Sequence, residues 1–214
     1  MSKKYYWMIF ILVAYLLWIW VFKPNPNLAD MPTSSAVSSS AEVQQVDGYT
    51  ITALEHFEGE FRILSRENYL LGRDAEFSPV DFAVGWGKMA DPQIYKQIEI
   101  SQSGRWYRWR TQSAPPIPVR EIETSSSNIH IIPANASIGR QLDKVKADDK
   151  VFLSGDLVEI KGDDGWTWKS SLSREDTGDG ACELLRVDQV MILPNFDTRY
   201  EVIERVAKDI INNI

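Results

Sequence analysis

Lys150 to Ser173 reads KVFLSGDLVEIKGDDGWTWKSSLS. Two strand-forming runs flank Asp163-Asp164-Gly165, a turn-forming tripeptide, so the segment predicts a β-hairpin. Along its second arm Trp166 and Trp168 fall on one face, with Thr167 and Lys169 on the other. Just downstream, ACELLRVDQVMIL (Ala181–Leu193) predicts a final strand.

Upstream, SIGRQLDKVKADD (Ser137–Asp149) carries Ile138, Leu142 and Val145 at helical spacing, with Ser137 as the expected N-cap. NIHIIPA (Asn128–Ala134) is a further strand. QIEISQSGRWYRWRT (Gln97–Thr111) is a second hairpin, turning near Ser103-Gly104. YTITALEHFEGEFRILS (Tyr49–Ser65) alternates on either side of Glu58-Gly59 and is expected to form another hairpin. In SPVDFAVGWG, Ser78 as N-cap and Pro79 at the first helical position predict a short helix stopped near Gly85 or Gly87. Asp91-Pro92 repeats that device before QIYKQI.

Many short strands, with turns every eight to twelve residues, give a mainly-β domain with short helices (α+β). A helix ahead of the last three strands points to an OB-like or related β-barrel. The expected organisation is a transmembrane signal anchor over 1–23, a flexible linker over 24–47, the mainly-β soluble domain over 48–194 and a C-terminal amphipathic helix over 195–214. That last helix follows from Thr198 and Glu201 in capping-box spacing and from Ile203, Val206, Ile210 and Ile214 on one face.

Tyr5 to Phe22 holds no charged residue over 18 positions. At about 1.5 Å per residue this spans roughly 27 Å, enough for a hydrocarbon core. LLWIWVFKPNP offers bulky residues where a signal peptidase needs small ones, so the segment reads as an uncleaved anchor contacting the bilayer through residues 5–22. Lys3 and Lys4 outweigh Lys23, which sets the N-terminus in the cytoplasm and the domain outside it, at the inner (plasma) membrane. The Pro-, Asn- and Ser-rich stretch that follows is a solvated tether with an end-to-end distance of roughly 25–30 Å.

Three of the 23 basic residues lie before Pro24, leaving 20 against 30 acids in the remainder of the chain. Such a domain repels phosphate backbones, which makes nucleic acid a poor partner. Cys182 is the single cysteine; it excludes an intrachain disulfide and offers no zinc-ligand spacing. Glu175, Asp176 and Asp179 in SREDTGDGAC miss the alternating pattern of a calcium loop, so no metal or cofactor is expected.

Chemistry-bearing candidates are few. His130 shares a strand face with Asn128, and as a general base it would need a carboxylate or nucleophile in reach. Arg105, Glu121, Glu123 and Asp176 are the groups to test for convergence on it. Ser65, Ser78 and Ser154 sit in no nucleophile elbow. In GRWYRWRT, period two puts Trp106, Arg108 and Arg110 on one face and Arg105, Tyr107 and Trp109 on the other. The expected contacts are aromatic bodies packed inward and arginines reaching acids such as Glu121 and Glu123. Arg105, Arg108, Trp109, Arg110, Trp166 and Trp168 are the candidate partner-binding residues.

The motifs YLLGRDAEFSPVDFAVGWG, ISQSGRWYRWR, IETSSSNIHIIPA and GWTWKSSLSREDTGDGACEL resemble a family of small bacterial membrane-anchored proteins of no assigned activity. The resemblance spans roughly Tyr49 to Val187 and implies a bacterial source and a shared domain. Taken together, the expectation is a single-pass protein whose extracytoplasmic domain serves as a binding or assembly module for an envelope protein. The alternatives are an envelope enzyme using His130 and an OB-like nucleic-acid binder.

Overall fold

The computed structural model describes residues 30–37, 43–173, 175 and 181–194, together with Tyr15. The anchor expected over 5–22, the helix expected over 195–214 and most of the SREDTGDGAC loop lie outside the described residues. Among the described residues no helix is long and apolar enough to cross a membrane.

Within the unit Leu28–Asn195 the strands are β1 (Thr33–Ala36), β2 (Val43–Val46), β3 (Tyr49–Asn68), β4 (Val80–Gly85), β5 (Glu99–Ser103), β6 (Trp106–Arg110), β7 (Ser126–Pro133), β8 (Lys150–Gly162), β9 (Thr167–Lys169) and β10 (Glu183–Leu193). Four short helices join them: α1 (Arg73–Phe77), α2 (Pro92–Tyr95), α3 (Val119–Thr124) and α4 (Ala136–Leu142). A single 3-10 turn covers Lys88–Ala90. The domain is mainly β with short helices, as its composition of strand-forming runs predicts.

The pairings form a closed circuit. β3 pairs with β8 from Tyr49↔Gly162 to Arg62↔Lys150, and with β4 from Arg62↔Gly85 to Asn68↔Val80. β4 pairs antiparallel with β7, β7 runs parallel to β10, and β10 pairs antiparallel with β8, which returns to β3. Inside this ring Phe57, Phe61 and Phe82 are at most 1% exposed and meet Leu153, Leu157 and Leu185. Burying each such side chain is worth about 2–3 kcal/mol, so the ring closes on a substantial apolar core. α4 joins that core with Ile138 and Leu142.

Three expectations change here. The hairpin placed at Glu58-Gly59 is instead the middle of β3, a strand of 20 residues. Phe57, Phe61 and Ile63 keep one inward period through Gly59, as a single strand must, and a turn there would reset it. Gly59 is required for another reason: a Cβ would lie 2.9 Å from Pro32 Cβ, so the glycine admits the chain crossing above it. The helix expected from Ser78 is the strand β4, with all six residues buried. A strand covered on both faces reads as an unbroken apolar run, which periodicity cannot separate from a short helix. Ser78 ends α1 rather than opening a helix. Lastly, the stretch expected to be a free tether contributes β1 and β2, which pair with β3 at Glu55–Glu58 and Tyr49–Thr52.

α1 and α3 were not expected from the sequence, whereas α2, α4 and the β8–β9 turn were. Asp91 caps α2 by accepting from Gln93 N, and β8 turns into β9 around Asp163–Gly165. The α4 cap is Asn135, whose Oδ1 accepts from Ser137 N at 2.9 Å and Ile138 N at 3.1 Å, two residues ahead of the expected Ser137.

Candidate functional site

Between β4 and β7 lies a 40-residue connection, Trp86–Ser125, of which the β5–β6 hairpin is the central part, and it packs on the outer face of the ring. The hairpin turns through Gly104 and Arg105, both at positive φ (58° and 71°), the type I′ geometry suited to twisted strands. An arginine in that region is strained by about 1–2 kcal/mol, and its contacts hold it there. Tyr107 and Trp109 point inward to Leu64, Ala83 and Ile122, while Trp106, Arg108 and Arg110 face out, the alternation expected from sequence. Burial pushes the Tyr107 phenol up to about 12, although its hydroxyl donates to Ser126 Oγ at 3.0 Å.

Arg105 is engaged on every side. Its Nη1 lies 2.6 Å from Asp81 Oδ1, its Nη2 donates to the Ser78 carbonyl at 2.8 Å, and its guanidinium carbon stands 3.7 Å over the Tyr69 ring. Its backbone N donates to Tyr69 Oη at 3.0 Å, and its carbonyl accepts from Asn128 Nδ2 at 3.3 Å. Burial raises the Tyr69 phenol, the Arg105 backbone donor opposes this, and the Asp81 charge adds to the rise.

Asp81 is the centre of the network. Its side chain is 1% exposed, on the outer face of β4 directly opposite His130 of β7. His130 Nδ1 lies 2.9 Å from Asp81 Oδ2 without the alignment of a hydrogen bond, which leaves that ring nitrogen buried with no hydrogen-bond partner. Asn128 Nδ2 and Ser78 Oγ each approach the carboxylate at 3.4 Å. A carboxylate this deep is tolerated only when compensated, and Arg105 supplies the charge.

Of the groups considered as partners of His130, Arg105 arrives through Asp81. Glu121 instead pairs with Lys88 at 3.0 Å, and Glu123 lies 3.9 Å from Arg120. The expected contacts between these glutamates and the arginines of the hairpin do not form. Asp176 is outside the described residues. The His130 ring is 5% exposed and lies against Trp168, with centroids 4.9 Å apart. This geometry suits a locked ion network better than a base awaiting substrate. Asp81 was missed because reading β4 as a helix hid the face it shares with Ala83; the signal was a lone acid inside an apolar run.

The other candidates divide in the same way. Trp109 packs under the hairpin, Trp166 stacks on Phe77 at 6.1 Å beneath Arg73, and Trp168 packs against the apolar group of Ile51, Ile132, Val158, Ile160 and Leu184. Arg108 and Arg110 are exposed. Arg110 pairs with Glu99, whose carboxyl is held below its usual range by hydrogen bonds from Gln112 and then Arg110. Among the described residues no group of three metal-ligating side chains converges. Cys182 is half-buried, with Sγ 3.9 Å from Asn128 Nδ2.

A second polar group was not anticipated. On the outer face of β3 and β8, His56 Nδ1 lies 3.2 Å from Asp156 Oδ1 and His56 Nε2 lies 3.4 Å from Ser154 Oγ. The order matches a serine triad, yet Ser154 sits mid-strand between β3 and β10, with its own backbone committed to two ladders. Acyl transfer needs free donors at the oxyanion, and a doubly paired strand supplies none beside that hydroxyl.

No family model, curated protein or solved structure matches this chain.

Proposed function

We propose that the domain is an OB-like five-stranded barrel serving as a membrane-anchored, extracytoplasmic binding or assembly module for an envelope protein. The circuit β3-β4-β7-β10-β8, with β7 parallel to β10 and α4 between β7 and β8, supports the OB-like reading. OB folds engage oligonucleotides on the face of their second and third strands. Here those strands are β4 and β7, and the chain's own hairpin covers that face, which argues against nucleic acid.

One observation carries the binding reading. The buried Arg105–Asp81 pair fixes a rigid hairpin whose outer face presents Trp106, 39% exposed, beside Arg108 and Arg110. Trp and Arg are the side chains that dominate binding hot spots, and a fixed strand loses little entropy on docking. In-membrane crosslinking followed by mass spectrometry tests this. We expect a reproducible protein partner whose recovery falls at least about tenfold in Arg108→Glu/Arg110→Glu. Recovery of background alone, or of a partner indifferent to these charges, would overturn the reading.

A further inference from the structure

The strongest unexplained feature is the connection between β3 and α1. Leu70 and Leu71 are 90% and 91% exposed, more than any other large apolar side chain described. Soluble surfaces tolerate single leucines, but an adjacent pair held fully in water is a candidate contact surface.

The pair is held out from both sides. Before it, Tyr69 N donates to Pro79 O at 2.8 Å, and the Tyr69 ring is clamped beneath Arg105. After it, Gly72 at φ 98° leads into α1, whose Arg73 bonds Asp164 at 2.7 Å and lies over the Trp166 ring at 5.3 Å. With both ends fixed, the two leucines are displayed in a preset position. Tyr69, which precedes Leu70, thus contacts Arg105, which precedes Trp106.

The charges around the pair identify what fits it. Arg73 is committed to Asp164, and Arg66 donates to the carbonyls of Leu142 and Val145. Glu67, Asp74 and Glu76 make no salt bridge among the described residues. The acids that flank the pair in sequence are therefore left without an ion-pair partner, which disfavours an anionic lipid surface and favours a cationic border on the partner.

We propose that Leu70 and Leu71 are the apolar anchor by which the domain grips a protein offering an apolar socket bordered by lysine or arginine. This deepens the binding-module reading and rests on it.

The test places a photo-crosslinking residue at position 71 of the full chain in membranes, and in a second version at position 106. From position 71 we expect an adduct to a protein whose crosslinked peptide is apolar and flanked by Lys or Arg. Its yield should fall about thirtyfold in Leu70→Ser, the loss typical of an anchor residue, and severalfold in Asp74→Lys/Glu76→Lys. Leu70→Ser should leave the melting temperature unchanged; a clear drop would make the leucine part of the fold and sink the proposal. Adducts to lipid or to a second copy, or a yield indifferent to Leu70→Ser, also overturn it. If position 106 captures a protein and position 71 does not, the anchor is refuted while the binding reading stands; silence at both removes both.

Discussion

Asp81 and Arg105 illustrate how a buried charge constrains its neighbours. Arg105→Ala would leave a carboxylate 1% exposed with no cation, and such a loss costs about 3–5 kcal/mol. Asp81→Asn removes the charge itself, so the double variant should be more stable than the sum of the two single losses predicts, by at least about 1 kcal/mol in a denaturant-melt cycle. Strict additivity would show that the pair is not coupled. Tyr107 makes a pH prediction. Its phenol ionises near about 10 when unfolded and near about 12 when buried. Between those values the unfolded chain gives up a proton that the folded chain keeps, so this contribution is intact below pH 10 and declines as pH rises. The slope is at most about 1.4 kcal/mol per pH unit. Tyr107→Phe should flatten it, and parallel stability curves for the two proteins above pH 10 would contradict the assignment. Little of this network was legible in the sequence. The alternation of β6 gave the inward and outward faces of the hairpin, but the partner of Arg105 lies 24 residues away along the chain, on a strand whose pattern resembles a helix.

At the scale of elements, the distinction is between glycines that permit a turn and glycines that permit an approach. Gly165 has φ 87° and open space where a Cβ would stand, so Gly165→Ala should cost about 1 kcal/mol of conformational strain. Gly155 lies in β8 opposite Phe57 and Val187, beside the register shift in β10, and a Cβ there would collide with the Arg186 carbonyl oxygen. Gly155→Ala should therefore cost several times more, or prevent folding, because backbone must move to admit it. Equal melting temperatures for the two variants would be incompatible with these pairings. The same distinction explains the sequence reading. Asp163–Gly165 and Gly104 are true turns and were found from composition, whereas Gly59 looks like a turn residue but serves a crossing by Pro32. Turn chemistry is local and readable; a close approach depends on a segment elsewhere in the chain.

For the whole molecule, the ring sets the order of stability. Amides in the shared ladders of β4, β7 and β8 should exchange only on global unfolding, while those of β1, β2 and β9, each paired on one side, should exchange sooner. Hydrogen exchange with peptide resolution measures this, and equal protection throughout would count against the ranking. The ring also has a last piece. β10 is the final strand of the circuit and is seated between β7 and β8, two strands laid down earlier. Until residue 193 is available, both neighbours present open edges able to pair with another chain. Synthesis of this domain thus passes through a vulnerable interval that ends only with its last strand, and a chain cut short before Glu183 would aggregate rather than persist as a smaller fold.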